Sequence, residues 1–530
     1  MAKNRKSKKQ NNRKPVSSRA RNRRLDQRTN KSDLHGFEAL EDRRLLATVT
    51  VGNSLDLVNG DTSSIANLIA SPGVDGISLR EAISAANSTD GADTITFDPA
   101  VFTGGANSLI RLTDGEFRIT DSLTIDASAA IDVTITGDAN GDDITDAAFI
   151  TDVGESLGLS GFLSDLLDDN SRVFVADRFG FGIDLTLAGL SLTGGVDDRF
   201  SSYDGGGAIH FDSPGQLTLT DTIVSGNFST DEGGGIHARL GEVSLVNSQV
   251  TGNVSSDEGG GIFVFSGFGY SGSLTLNGST ISDNFTSSSG GGIHAERSPV
   301  TLVDSAVTGN QTYGRDSGGG GIYAFGGTVT LSNSTVSGNY TTGRDSAGGG
   351  IRSNNASLLL TDSTVEGNFT LQEDSRGGGI SAGTGYGNTS YTVTLLNSTV
   401  SGNYTAGRGA NGGGIHSFLP LILTDSVVSD NSTEGEIGFS AFYEGTASGG
   451  GIWARSTVAL TNTRVGGNST SGSDAGGGGV SAFSVTLTNS RVYENSTTGS
   501  DAGGGGISAG SVTLTNSLSL IHISEPTRPY

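Results

Sequence analysis

Residues 320–351, GGIYAFGGTVTLSNSTVSGNYTTGRDSAGGGI, contain one full period of a repeat and the start of the next. The period opens with glycines followed by Ile322 and closes with the same signal at Ile351. Between them, TVTLSNSTV alternates apolar and hydroxyl-bearing residues, which is typical of a strand that buries one face. A second mark follows, an aliphatic residue three positions before an asparagine, at Val336 and Asn339.

Both marks recur over most of the chain. The aliphatic mark returns at spacings of 26 to 37 residues. Its members are Ile209, Ile236, Ile262, Ile293, Ile322, Ile351, Ile380, Ile415, Ile452, Val480 and Ile507. The asparagine mark occurs ten times, at Asn227, Asn253, Asn284, Asn310, Asn339, Asn368, Asn403, Asn431, Asn468 and Asn495. Nine of these asparagines precede the next aliphatic mark by 9 or 12 residues, so the loops vary in length at fixed places.

The repeat predicts an all-β fold, a parallel β-helix. A period near 29 residues is too short for a four-stranded propeller blade, and no helical pattern separates the strands, as leucine-rich or ankyrin repeats require. Two or three short strands per period fit a coil that stacks on the last one at about 4.8 Å, so eleven coils would extend about 50 Å. Val, Ile and Leu would line the interior, and the glycines would allow corners with positive φ.

The repeated asparagines predict an internal ladder. An asparagine at the same corner of successive coils can donate its amide to the next asparagine along the axis. All ten are also followed by x-Ser or x-Thr, which makes each one a formal N-glycosylation sequon. Because the sequons repeat at one coil position, we favour a structural ladder with a Ser/Thr column beside it over sugar attachment.

The residue after each aliphatic mark defines another column. Since the aliphatic side chain points inward, its neighbour is expected to point outward. Seven of these neighbours carry rings and form a candidate contact face for sugars or a partner: His210, His237, Phe263, His294, Tyr323, His416 and Trp453. The alternative is an outer face that tolerates any flat residue.

The amino terminus differs from the rest of the chain in charge. Residues 1–46 hold 15 of the 32 Lys and Arg residues, whereas the remainder holds 17 basic and 51 acidic residues. We expect residues 1–47 to be a disordered basic leader, and the acidic body argues against nucleic-acid binding. The leader ends in FEALEDRRLLA (37–47), which resembles the amino terminus of large planctomycete surface proteins. That resemblance implies an exported, extracellular or cell-surface protein; the alternative is a basic tail on a cytosolic protein.

Two further resemblances concern the body. Residues 74–98, VDGISLREAISAANSTDGADTITFD, resemble the CSLREA-type module that precedes such β-helices, with Ile77 where that family has its first Cys. Ser78 and Glu81 also have the spacing of a capping box, so residues 48–100 are expected to be a capping module with a short helix that ends near Asn87. The repeats of residues 205–516 resemble those of chlamydial polymorphic outer-membrane proteins, written GGA[ILV] and FxxN. This resemblance implies a right-handed β-helix and a surface-displayed, adhesin-like role.

The domain boundaries follow from these patterns. The β-helix is expected over residues 101–517, with an insertion at about 143–182 that carries a helix near 156–170. Residues 518–530, LSLIHISEPTRPY, abandon the repeat and look like a translated sequencing adapter. The chain is therefore expected to be a fragment of a longer protein, and no apolar run in it is long enough for a transmembrane helix.

Candidate chemistry is sparse. We assign no catalytic, cofactor-binding or metal-ligating residue. Asp138 to Asp143 has the oxygen density of a Ca²⁺ loop, but it lacks the glutamate spacing of an EF-hand, so an acidic turn is favoured. The sequence thus predicts a structural or adhesive protein whose partners are polysaccharides or cell-surface components. The alternative is a polysaccharide lyase or another carbohydrate-active β-helix enzyme, although the arginines show no column at the repeat spacing.

Overall fold

The computed structural model describes residues 46–139, 170–177, 182–197, 205–267, 269–383, 390–435, 447–472, 475–499 and 502–519. These residues form an all-β solenoid of about thirteen turns, in which every strand pairs in parallel with the equivalent strand of the neighbouring turns. The prediction of a parallel β-helix is confirmed.

Each complete coil contains up to four short strands, which we number as strand columns 1 to 4. Columns 1 and 2 belong to one sheet of 25 strands. Column 1 contains Phe117–Arg118, Phe174–Asp177, Ile209–Asp212, Ile236–Arg239, Ile262–Phe265, Ile293–Glu296, Ile322–Phe325, Ile351–Asn354, Ile380–Ala382 and Ile415–Ser417. Column 2 contains Thr48–Val51, Asp93–Phe97, Leu123–Asp126, Leu185–Ala188, Gln216–Thr220, Glu242–Val246, Ser273–Asn277, Val300–Val303, Val329–Ser332, Leu358–Thr361, Val393–Leu396 and Leu421–Thr424. In the last coils the two columns merge into Ile452–Thr461, Val480–Thr488 and Ile507–Thr515.

The other two columns form separate sheets of 14 and 11 strands. Column 3 contains Leu109–Arg111, Val133–Thr136, Leu190–Thr193, Ile223–Ser225, Gln249–Thr251, Thr280–Ser282, Ala306–Thr308, Thr335–Ser337, Thr364–Glu366, Thr399–Ser401, Val427–Ser429, Arg464–Gly466, Arg491–Tyr493 and Leu518–Ser519. Column 4 contains Val196–Asp197, Phe228–Ser229, Val254–Ser255, Phe285–Thr286, Gln311–Thr312, Tyr340–Thr341, Phe369–Thr370, Tyr404–Ala406, Ser432–Glu434, Ser469–Ser471 and Ser496–Thr498.

The aliphatic mark of the sequence keeps one register through eleven coils. Ile209 pairs with Ile236, and the pairing continues through every marked residue to Ile507. Most of these side chains are fully buried, and they form one continuous apolar core with the Val and Leu residues of columns 2 and 3. The core is narrow but unbroken, which explains how a chain with 6% aromatic residues folds.

The glycines before each aliphatic mark are required by close backbone contacts. A Cβ atom on Gly320 would lie 2.5 Å from the carbonyl oxygens of both Tyr340 and Gly349. Gly319 has a φ of +63°, which other residues adopt only with strain. The glycine run therefore lets the loop that ends one coil cross closely over the strand that begins the next.

Two short helices precede the regular coils. They span Ile65–Ala70 and Leu79–Ala86, and a 3₁₀ turn follows at Gly105–Ser108. The second helix packs against strands of columns 1 and 2, and its apolar stripe is buried. The expected helix ending near Asn87 is confirmed, whereas the first helix was not predicted.

The SLREA segment is explained by its contacts. The Ser78 hydroxyl accepts from the backbone N–H of Glu81, and the Glu81 carboxylate accepts from that of Ser78 at 2.9 Å, which completes the capping box. Arg80 donates to both carboxylate oxygens of Asp56, at 2.6 and 2.9 Å, and its guanidinium lies over the ring of Phe117. These contacts hold the helix against the first coils, so the polar residues of the segment have a structural explanation.

Part of the predicted insertion at 143–182 is regular solenoid. Residues Phe174–Asp177 form a column 1 strand between Phe117–Arg118 and Ile209–Asp212, so the coils resume before residue 182. The expected boundary was too late because FVAD lacks the glycine signal of the later coils. The candidate helix near 156–170 lies almost entirely outside the described residues.

The carboxy-terminal coil breaks the pattern of the core. Ser519 pairs with Val492, so a hydroxyl occupies the position that holds a buried valine in the coil before it. Leu518 and Ser519 therefore continue the backbone register of column 3, but the inward-facing position holds Ser519 where the earlier coils have an apolar residue.

Candidate functional site

The ten repeated asparagines lie at the corner between columns 3 and 4 and form a continuous ladder. The side-chain Nδ2 of each of the first nine donates to the Oδ1 atom of the asparagine in the next coil, at 2.8 to 3.0 Å. The same Oδ1 also accepts the backbone N–H of the preceding asparagine, at 2.9 to 3.1 Å. The structure thus brings together all ten residues predicted for the ladder.

Each ladder residue also bonds to the coil on its other side. The Nδ2 of Asn339, for example, donates its second hydrogen to the carbonyl oxygen of Val307 at 2.9 Å. The ten side chains are at most 2% exposed, so their polar atoms depend on these bonds. A glycan on any of them would need the space that the next coil occupies, and the sequons therefore have a structural explanation.

A second polar ladder was not recognised in the sequence. It lies at the corner between columns 2 and 3, where each backbone N–H donates to the hydroxyl oxygen of the equivalent residue one coil later, at 3.0 to 3.5 Å. Its members are Thr222, Ser248, Ser279, Ser305, Ser334, Ser363, Ser398, Ser426, Thr463, Ser490 and Ser517. The signal was the hydroxyl residue that follows Asp, Asn or Gly after each second strand.

The ring column does not form the accessible contact face that we expected. His210, His237, Phe263, His294 and His416 are at most 3% exposed, and only Tyr323 and Trp453 are partly exposed. The first five rings of the column lie above one another with centroids 4.7 to 5.3 Å apart, and His416 is stacked on Trp453 at 4.5 Å. The prediction of an exposed face is wrong for the five buried residues.

The loop before each glycine run covers these rings. The Nδ1 atom of His294 lies 3.3 Å from the carbonyl oxygen of Ser289, and His210 makes the same contact with Gly205 at 3.1 Å. The chain folds back over its own strand at the glycines, a tertiary contact that alternation along a strand cannot reveal. The rings therefore point away from the core but lie beneath a layer of backbone.

Burial keeps the histidines of the column neutral. It lowers the pKa of His237 to about 3 and that of His294 to about 4. Burial also lowers the pKa values of His210 and His416 well below the usual range, with help from neighbouring positive charge. The imidazoles at these positions are therefore neutral near pH 7 and pack within the coil stack.

Two glutamates face this part of the column. Burial, reinforced by neighbouring carboxylates, raises the pKa of Glu232 and of Glu258 to about 7. The carboxylate of Glu232 lies 3.2 Å from Nε2 of His237. With the imidazole neutral, this contact is a polar contact and not a salt bridge near pH 7.

The described residues contain no group of three or more His, Cys, Asp or Glu side chains placed to hold a metal ion. Asp138, the first residue of the candidate Ca²⁺ loop, is buried and lies 3.2 Å from the guanidinium of Arg111. Residues 140–143 of that loop lie outside the described part of the chain. Among the described residues, no helix is both long and apolar enough to span a membrane.

No family model, no curated protein and no solved structure matches this chain. The geometry of the coils is therefore the basis for any assignment of function.

An arginine column exists after all. Backbone bonds from Asp316 to Arg344 and from Asp374 to Arg408 place Arg315, Arg344 and Arg408 at equivalent positions of their coils, with a glutamate between the last two. Sequence inspection missed this column because the interposed glutamate interrupts it. Arg315 and Arg344 pair with acidic residues of the next coil, so they neutralise the surface locally.

Proposed function

We propose that this chain is an extracellular or cell-surface binding protein whose stacked coils have a structural or adhesive role. The observation that carries the proposal is the unbroken register from Ile209 to Ile507, combined with the burial of the histidines beside it. Repetition of nearly identical coils presents a long surface of similar units, which suits multivalent attachment.

The internal ladders support the same role. The buried polar groups of each coil are hydrogen-bonded to the neighbouring coils. Contacts of this kind stabilise every coil along the stack, so stability does not come from a single central core. The basic leader and its FEALEDRRLLA ending add the expectation of export.

The location and the attachment are tested together. Intact cells that carry the natural gene are treated with protease, and released peptides are identified by mass spectrometry. Beads coated with the purified chain are then mixed with acidic and neutral polysaccharides and with cell envelopes. Surface-derived peptides and saturable bead attachment support the proposal. Peptides found only after lysis, or beads that bind none of these materials, would overturn it.

A further inference from the structure

The ring column is interrupted between Tyr323 and His416, where Arg352 and Ser381 occupy the ring position, and it ends after Trp453, where Ser481 and Ser508 follow. Arg352, Ser381 and His416 occupy the same register position in three successive coils. Arg352 extends the ring stack from the amino-terminal side, with its guanidinium 5.5 Å from the ring centroid of Tyr323. His416 begins the next stack on the other side, against Trp453. The small serine between them leaves space that a ring fills in most other coils.

That space is a pocket of about 190 Å³. Its lining includes Arg352, Arg376, Ser381 and His416, together with Asn354 and Phe418. The volume is below the roughly 300 Å³ at which typical small-molecule clefts begin. The pocket therefore accommodates one small group, such as the charged end of a larger ligand.

The polar groups around the pocket are incompletely satisfied. Among the described residues, the exposed guanidinium of Arg376 has no hydrogen-bond or ion-pair partner, and Arg352 uses only Nη1, which donates to the carbonyl oxygens of Asp316 and Ser317 at 2.9 and 3.1 Å. The Nδ1 atom of His416 is buried and likewise lacks a partner within the described part of the chain. Buried polar groups usually have partners, so the unpaired Nδ1 of His416 is unusual, and the exposed guanidinium of Arg376 is available to a ligand.

The charge of the pocket is opposite to that of its surroundings. Two arginines line it, although residues after 46 include 51 acidic and only 17 basic side chains. The one lining carboxylate, Asp345, accepts from Arg315 at 3.2 Å, so its charge is already compensated. Paired guanidinium groups bind carboxylate and sulfate oxygens through charge-assisted hydrogen bonds.

We propose that this pocket binds an anionic group, the carboxylate of an acidic sugar, between Arg352 and Arg376. Ser381 and Asn354 also line the pocket and offer a hydroxyl and an amide oxygen to the hydroxyl groups of a sugar ring, and Phe418 offers an apolar wall. The Nδ2 of Asn354 donates to the hydroxyl of Tyr323 at 3.4 Å. The sugar part of this proposal rests on the proposed function, whereas the anion site stands on the pocket itself.

The test is calorimetric titration of the full chain with galacturonate, with the neutral sugar galactose and with inorganic sulfate. Galacturonate is expected to bind, and galactose is not. Arg376→Gln should weaken galacturonate binding about tenfold or more, because it removes the exposed charge without removing any contact of the fold. Ser381→Phe should abolish binding, because a ring would fill the gap as Phe263 does in its own coil. The matched control, Arg491→Gln, removes an exposed arginine three coils away and should leave the affinity within about twofold.

The outcomes separate this proposal from the proposed function. Unchanged galacturonate binding in both pocket variants would overturn the pocket assignment and leave polysaccharide attachment to the beads intact. Sulfate that binds as tightly as galacturonate, with both lost in Arg376→Gln, would overturn the sugar assignment. Failure of the wild-type chain to bind galacturonate would overturn the proposal as a whole. If Ser381→Phe fails to fold, the exposed Arg376→Gln variant still decides the matter.

Discussion

The side-chain amide of Asn310 donates to the side-chain oxygen of Asn339 at 2.9 Å, and the backbone N–H of Asn310 donates to that same oxygen at 2.9 Å. One buried atom in one coil thus terminates two hydrogen bonds from the coil before it. Since the same contact recurs at every step from Asn227 to Asn495, each coil is hydrogen-bonded to the next one through its asparagine.

Replacing Asn339 by alanine should loosen the preceding coil. The backbone N–H and the side-chain amide of Asn310 would lose their shared acceptor, and the carbonyl oxygen of Val307 would lose its donor, which leaves buried groups unpaired at a cost of about 2–4 kcal/mol. The backbone amide of Asn310 should then exchange its hydrogen at least tenfold faster, as measured by hydrogen–deuterium exchange.

The control is Asn277→Ala, since Asn277 is exposed at the end of its strand. It should change local stability by less than about 0.5 kcal/mol. Equal effects of the two substitutions would show that the ladder contributes nothing beyond ordinary surface contacts.

Two glycine-to-alanine substitutions should distinguish the cost of a steric clash with backbone oxygens from the cost of a positive φ angle. In Gly320→Ala the new Cβ atom would lie 2.5 Å from two backbone oxygens, so the coils must move apart and the urea midpoint should fall strongly. In Gly367→Ala nothing lies within 4 Å of the new atom, and the φ of +60° alone costs roughly 1–2 kcal/mol. A Gly367 variant less stable than the Gly320 variant would contradict the close packing described for the glycine runs.

His294→Phe should stabilise the chain in acid. The folded-state pKa of His294 is lowered to about 4 from 6.5, so the wild-type chain loses stability as the pH falls from about 6.5 towards 4. Phenylalanine occupies the same column at Phe263 and does not titrate. The melting temperature of the variant minus that of the wild type should therefore rise as the pH falls through this range; a difference independent of pH would mean that His294 is already protonated or accessible.

Glu258→Gln should have the opposite pH dependence. The folded-state pKa of Glu258 is raised to about 7 from 4.5, so its contribution to stability is present below pH 4.5 and is lost as the pH rises to 7. The variant should thus gain stability over the wild type between these pH values in thermal melts. The matched control is Glu242→Gln, since Glu242 is exposed at the start of its strand.

The fold and the ladder were predictable because each has a periodic signal in the sequence. The aliphatic mark at Ile322 and the asparagine at Asn339 repeat once per coil, and parallel stacking requires equivalent residues to meet. The serine of the second ladder had the same signal and was overlooked, since a hydroxyl beside a turn is usually explained by the turn alone.

The ring column and the pocket could not be predicted in this way. Alternation along a strand indicates which side of a sheet His294 occupies, but it does not indicate that a loop folds back over that side. Arg376 lies four residues before Ile380 and is in register with Ala347 and Asn411 of the adjacent coils, so its position in the coil is periodic. The sequence does not indicate that this segment folds back beside Arg352, because that contact is set by tertiary structure.

The most direct test of the account is to incubate the purified chain with an acidic polysaccharide and to measure binding and cleavage in the same sample. The stacked-coil binding role predicts saturable binding with no increase in the ultraviolet absorbance of unsaturated sugar ends. A steady rise in that absorbance, dependent on the folded chain, would contradict the account and establish a lyase.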